Sequence, residues 1–343
     1  MELHFDKPNG PVDDAIFHVM ELAGHLYYPE LVREMILAAL KASQENAAEA
    51  DLKLMNSTLK EMRFPSKVFG PYRDIRKVTV FGSARTKPEE SVYKMASLLG
   101  QELVRAGYMV ITGGGGGIMQ AVNEGAGPEH SFAVNIRIPY EQKPNPIVDG
   151  NPRLITYKYF FNRKVAFLKE ASAIVLFPGG FGTLDEAMET LTLLQNGKHD
   201  PIPLIFLDEP SGTYWLKWLQ FFAEELMSQG YINDSDFYLI DRVDSVDAVV
   251  EIINHFYRRY HSLRYVEKQM VIRLSSGIDP QCVEELKNRF QDILIPGGDI
   301  YLSGPLPAEA DEPEIADLPR LVIDFNRKDF GRLQHFIKAI NSY

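Results

Sequence analysis

Nine consecutive residues, Pro178-Gly179-Gly180-Phe181-Gly182-Thr183-Leu184-Asp185-Glu186, follow an apolar run at 173–177. They read as a strand turning sharply into a helix. Three glycines let the backbone turn with its N–H groups exposed. A helix start concentrates unpaired donors and partial positive charge, so an anion such as phosphate is favoured there. Thr183 fits an N-cap, and Glu186, three residues on, fits the return half of a Thr-x-x-Glu capping box. The same carboxylate fits a second role, facing a sugar whose phosphate the loop holds. Spacing alone leaves both readings open.

Thr112 precedes a second unusual stretch, Gly113 to Gly117, again between a strand and a helix. Five glycines exceed what a turn needs and suggest a ligand or another loop pressing on bare backbone. The dinucleotide fingerprint is not met. These glycines follow the second strand, its third position would be Ile118 or Gln120, and the next strand ends at Asn135 rather than an acid. A third stretch, Phe160-Phe161-Asn162-Arg163-Lys164, sets two cations beside two aromatics at a helix start. It reads either as a solvated face or as a ligand-facing arginine. Gly82-Ser83-Ala84-Arg85 could bring a hydroxyl and a cation to the same edge, or be an ordinary turn. The eight histidines have no metal-ligand spacing, and no nucleophile elbow or Ser/His/Asp set stands out. No metal and no cofactor is expected. Trp215, Trp218 and Tyr301 read as packing residues.

The elements that must position these residues fall into three parts. Residues 1–74 read as a helical extension, with apolar residues at helical spacing over 12–26 and 29–40 and strong helix formers over 38–62. Residues 75–260 alternate strands (78–81, 108–112, 132–136, 154–157, 173–177, 204–207, 237–240) with helices (91–106, 118–125, 162–171, 183–196, 214–229, 246–257). A proline-rich excursion at 139–152 interrupts them. That alternation predicts an α/β, Rossmann-like open and mostly parallel sheet with helices on both faces. Residues 261–343 read as a small α+β unit, with strands at 269–274, 299–302 and 321–325, helices at 279–293 and 328–340, and a solvated acidic loop at 305–319.

The 343 residues include 36 Lys and Arg against 47 Asp and Glu, a net charge of −11. Such a field repels nucleic acid and anionic lipid but leaves room for a local anion pocket. No apolar run reaches the roughly 18 residues of a membrane span. The start lacks a signal-peptide layout, and the single cysteine, Cys282, excludes an internal disulfide. A cytoplasmic protein is expected, with no membrane and no nucleic-acid partner.

Taken together these stretches resemble the LOG family, known from cytokinin-activating phosphoribohydrolases and often labelled lysine decarboxylase-like. Its signature Pro-Gly-Gly-x-Gly-Thr-x-x-Glu matches residues 178–186 at every specified position. Its glycine run ending in Gly-Leu-Met resembles Gly117-Ile118-Met119, and its Arg-Lys pair resembles Arg163-Lys164. The resemblance covers about 77–257. Asn162 stands where short plant-type members carry Glu, and the helical front and α+β tail make the chain more similar to the larger bacterial nucleotide nucleosidases. The resemblance implies hydrolysis of the N-glycosidic bond of a nucleoside 5′-monophosphate, AMP-like or cytokinin-type, to free base and ribose 5-phosphate. It implies Glu186 and Arg163 as catalytic residues. The backbone of Gly179, Gly180, Gly182 and Thr183 would hold the phosphate, with Ser83, Gly114, Gly115 and Lys164 counted as substrate-binding. It also implies a homodimer or larger assembly. The decarboxylase label fits poorly, because pyridoxal phosphate chemistry needs a suitably placed lysine. The alternative function is a non-catalytic nucleotide sensor using the same loop.

Overall fold

The computed structural model describes residues 2–46, 48–137 and 143–343. They divide into two compact units, residues 1–64 and 65–343. The first contains α1 (Pro11–Ala23), α2 (Pro29–Glu45) and most of α3 (Glu49–Phe69). Leu3, Ile16, Met20 and Leu37 make its small core. Arg33 donates to Asp13 beside that core (2.9 Å) and holds its carboxyl down at about 2.

The second unit is built on seven strands: β1 (Lys77–Phe81), β2 (Met109–Thr112), β3 (Ser131–Ile136), β4 (Leu154–Tyr157), β5 (Ala173–Leu176), β6 (Leu204–Leu207) and β7 (Ile240–Val243). All pair in parallel, in the order β4-β3-β2-β1-β5-β6-β7. β1, β2, β3, β5 and β6 are buried at every position. That burial explains their continuous apolar runs, since crossover helices cover both faces of a parallel sheet. The helices are α4 (Ser91–Arg105), α5 (Ile118–Ala126), α6 (Phe160–Lys169), α7 (Phe181–Gln195), α8 (Tyr214–Phe221) and α9 (Val246–Phe256). Leu99, Val122 and Val249 place α4, α5 and α9 in one core layer. Phe167, Ala187 and Trp215 place α6, α7 and α8 in the other. The chain lays β1 to β4 outward on one side and then returns to β5 on the other side of β1. Ligands of open α/β sheets bind at such a reversal, beyond the carboxyl ends of the strands.

The chain continues through β8 (Tyr260–Val266), β9 (Gln269–Leu274), α10 (Pro280–Arg289), β10 (Ile300–Ser303), β11 (Arg320–Ile323) and α11 (Phe330–Ile340). The strands form an antiparallel sheet in the order β10-β11-β9-β8. Its core with α10 and α11 includes Ile272, Leu286, Leu321 and Phe336. α11 also ties into the larger sheet: Gln334 donates to the Ile202 carbonyl (2.9 Å) and Lys338 to Asp241 (2.8 Å).

Several expectations are corrected. The strand at 237–240 is shifted, because Asn233 and Asp236 cap each other and wind Asp234–Leu239 into a 3-10 helix before β7 begins. The helix at 214–229 changes from α to π winding at Phe222–Met227. β8 was not expected: it is an edge strand, and His261 and Arg264 dilute its apolar pattern. The loop at 305–319 is not simply solvated. Arg264, Arg273 and Arg320 stand on three neighbouring strands. Glu309 is buried against Arg273 and Arg320 (2.8 and 3.3 Å), while Asp311 and Glu312 reach Arg264 (2.6 and 2.7 Å). A buried guanidinium must find such partners. Tyr301 is exposed on β10 rather than packed. The proline-rich excursion begins in residues 138–142, which lie outside the described residues.

Candidate active site

Three loops meet over the carboxyl ends of β1, β2 and β5. The Phe177 amide donates to the Phe81 carbonyl (2.9 Å), the Ser83 amide to Pro178 (3.1 Å) and the Ile118 amide to Ser83 (3.0 Å). This lacing requires bare backbone at Gly117. Its φ is +63°, and a Cβ there would stand 2.2 Å from the Ser83 carbonyl oxygen. Another loop is therefore what presses on the glycine run. Gly114 and Gly115 belong to that scaffold: their carbonyls accept from the Asn145 amide (2.8 Å) and side chain (3.0 Å).

The loops enclose a cleft of about 820 Å³. Ser83, Arg163, Gly179, Gly180, Gly182 and Thr183 line it together with Arg85, Gly113, Met119, Phe181, Tyr214 and Trp218. Gly114, Gly115, Lys164 and Glu186 do not. Among the described residues the lining holds two arginines and no carboxylate, a positive island in a chain of net charge −11.

α7 starts one turn earlier than the motif suggested. Its N-cap is Gly180, without a side-chain cap, and Thr183 is already inside the helix. The capping-box reading of Thr183 and Glu186 therefore fails. Among the first-turn amides, those of Thr183 and Leu184 bond the Gly180 carbonyl (3.0 and 3.1 Å). The amides of Phe181 and Gly182 have no carbonyl to bond within the helix. A Cβ on Gly180 or Gly182 would meet nothing within 4 Å, so the space beside the helix start is open.

Glu186 follows Thr183 by three residues on α7, and the residue is 4% exposed. Its Oε2 makes no hydrogen bond. Burial pushes its carboxyl up to about 7, against the opposing pull of Lys164 and Arg163. Arg163 enters from α6, with its guanidinium 5.5 and 5.1 Å from the rings of Phe160 and Phe167. Its Nε has no hydrogen-bond partner. Burial lowers its pKa, while Glu186 and Asp185 favour its charge. A buried carboxyl beside an arginine with donors to spare can serve as base, as electrostatic partner, or both.

Two site residues escaped the sequence reading. Tyr214, which donates to the Gly179 carbonyl (2.7 Å), steadies the loop. Trp218, one turn further along α8, forms a wall of the cleft rather than packing wholly inside. Their four-residue spacing after a strand, which is visible in the sequence, puts both on one helix face. Among the described residues no group of three or more His, Cys, Asp or Glu could hold a metal ion, and no helix is long and apolar enough to cross a membrane.

The doubly wound sheet with a glycine-rich cleft at its reversal point defines a Rossmann-like α/β protein. Residues 116–253 match the family described as possible lysine decarboxylase. The chain is 32% identical over 169 residues to the cytokinin riboside 5′-monophosphate phosphoribohydrolase LOG3 of Arabidopsis thaliana, covering 46% of this chain and 72% of that protein. It is 25% identical over 214 residues to LOG1 of the same plant, covering 60% of this chain and 95% of that one. A solved molybdenum cofactor carrier protein from Chlamydomonas reinhardtii aligns with a TM-score of 0.38 at 20% identity, over 52% of this chain and 96% of that one. The chain belongs to the LOG family.

Proposed function

We propose that this protein hydrolyses the N-glycosidic bond of nucleoside 5′-monophosphates, releasing the free base and ribose 5-phosphate. The observation that carries this reading is the cleft lining: among the described residues two arginines, no carboxylate and an uncapped helix start, with one buried carboxyl, Glu186, at the sixth residue of that helix. The amides at the start of α7 hold the 5′-phosphate. That anchors the ribose so that C1′ comes within reach of Glu186 and Arg163. As the C1′–N bond breaks, its electron pair leaves with the base and C1′ takes on oxocarbenium character. The Glu186 carboxylate stabilises that charge and orients the incoming water, whose oxygen bonds to C1′. Water gives up one proton and the departing base gains one, so the step balances. Arg163 orients Glu186 and the substrate. Trp218 and Met119 supply apolar surface for the base.

A pyridoxal-dependent decarboxylase reading has less support, because among the described residues the cleft lining contains no lysine. The exposed rings of Phe181 in the cleft lining and of Phe160 and Phe161 at the start of α6 favour assembly into a homodimer or larger oligomer. The test is a panel of nucleotides assayed for free base and ribose 5-phosphate. AMP or another monophosphate should be cleaved at least about 10²-fold more efficiently than its nucleoside, since the phosphate supplies the positioning. Equal kcat/KM for AMP and adenosine would remove the phosphate from the argument. Tight binding without base release would favour a nucleotide sensor.

A further inference from the structure

Lys164 follows the arginine of the site in sequence but is not spent on the cleft. Its ammonium lies 2.7 Å from Glu189, 2.9 Å from Asp185 and 3.6 Å from Glu186. The first two distances are hydrogen bonds; the third is too long for one, and Glu186 Oε2 has no other partner. Three carboxylates of α7 therefore share one lysine of α6. The charged groups facing Glu186 are Lys164 and Arg163 from α6, and Asp185 and Glu189 from its own helix.

We propose that Lys164 is a positioning residue: clamped by Asp185 and Glu189, its ammonium is the fixed counter-charge that keeps the buried Glu186 carboxyl able to ionise. This rests on the reading of Glu186 as the carboxylate of the hydrolysis. The geometry divides the labour. Asp185 is largely exposed and Glu189 partly so (61% and 31% for the side chains), against 5% for Glu186. The clamp is solvated while the group it serves is dry. An ammonium at that distance from a dry carboxyl lowers its pKa, and the clamp prevents the lysine from swinging away or entering the cleft as a phosphate ligand. Glu189 also repels the charge on Glu186, so the cluster tunes the ionisation from both sides.

The test follows the Glu186 carboxyl directly, by carbon-13 NMR of labelled glutamate assigned with Glu186→Gln, alongside the pH profile of kcat. In Lys164→Met the Glu186 titration and the acid limb of kcat should both move up by about one to three pH units. Lys164→Arg should reverse most of that shift. KM for the monophosphate should change little in both. An unmoved titration in folded Lys164→Met, or a variant whose only defect is a raised KM, overturns the proposal. The NMR readout needs no turnover, so it remains decisive even if the panel shows no hydrolysis; that result would count against the proposed function instead.

Discussion

Glu186 is under opposite pressures from stability and from chemistry, and pH separates them. In an unfolded chain it ionises near 4.5, whereas burial holds its folded value at about 7. Between those values the folded protein keeps a proton that the unfolded chain has released. The stability contributed by this group is complete below pH 4.5 and is lost as pH rises through 7. Glu186→Gln stays neutral throughout. Its Tm should match the parent at pH 5 and exceed it at pH 8.5, a gain of up to about 3 kcal/mol. Turnover at pH 8.5, where the parent carboxylate is ionised, should fall about 10²-fold or more, and the deficit should shrink toward pH 5. A Gln variant as active as the parent removes Glu186 from the chemistry, and parallel melting curves at both pH values remove the buried charge. At this scale the sequence showed the nine-residue motif, because it is local; of the residues expected at the site, Gly114, Gly115, Lys164 and Glu186 lie off the cleft lining. The sequence did not disclose what Lys164 touches, since Asp185 and Glu189 lie 21 and 25 positions away on another helix.

The loops behave as one element, and two glycines within them should respond to alanine in opposite ways. Gly117→Ala forces a left-handed residue into the Ser83 carbonyl. It should lose about 1–3 kcal/mol of stability and loosen the cleft with it. Gly180→Ala meets nothing and has an ordinary φ of −88°. Its Tm should hold while KM for the monophosphate rises several-fold, because the new methyl occupies the phosphate's space. Denaturation and kinetics on the pair check both; a Gly180→Ala enzyme with unchanged KM places the phosphate elsewhere. The buried strands were legible because parallel strands covered on both sides are apolar at every position. Edge strand β8 was not, because one of its faces is wet. The start of α7 was misjudged by one turn, because Thr183 is a good cap by type but Gly180 takes that role by geometry.

On the scale of the molecule, the antiparallel sheet is joined to the seven-stranded sheet by more than a linker. Asn341 is fully buried: it donates to the Phe256 and Ile337 carbonyls and accepts from the Arg259 and Tyr260 amides (2.9 Å each). Ending the chain at His261 strips α11 from Ile202 and Asp241 and bares Phe256. The truncated protein should aggregate or lose its assembly, as light scattering would show. A soluble truncation with altered nucleotide response would make the tail regulatory, and an unchanged enzyme would make it dispensable. Apart from β8, the tail's strands and helices were readable from periodicity. Its attachment was not, because Asn341, Gln334 and Lys338 carry no pattern that names distant partners.

The strand order also sets a timetable for synthesis. β1 pairs with β2 on one side and with β5 on the other, and Val78 waits for Ala173 to complete that second pairing. While the ribosome makes the intervening residues, one edge of β1 stays open, and its five side chains are all ones that the finished protein buries. Such an edge invites pairing with the wrong chain, and contacts across so long a stretch form slowly. A nascent chain halted before Ala173 would be the most vulnerable form of this protein, prone to aggregate and a natural client for chaperones. The central strand that gives the cleft its place is thus also where folding is exposed for longest.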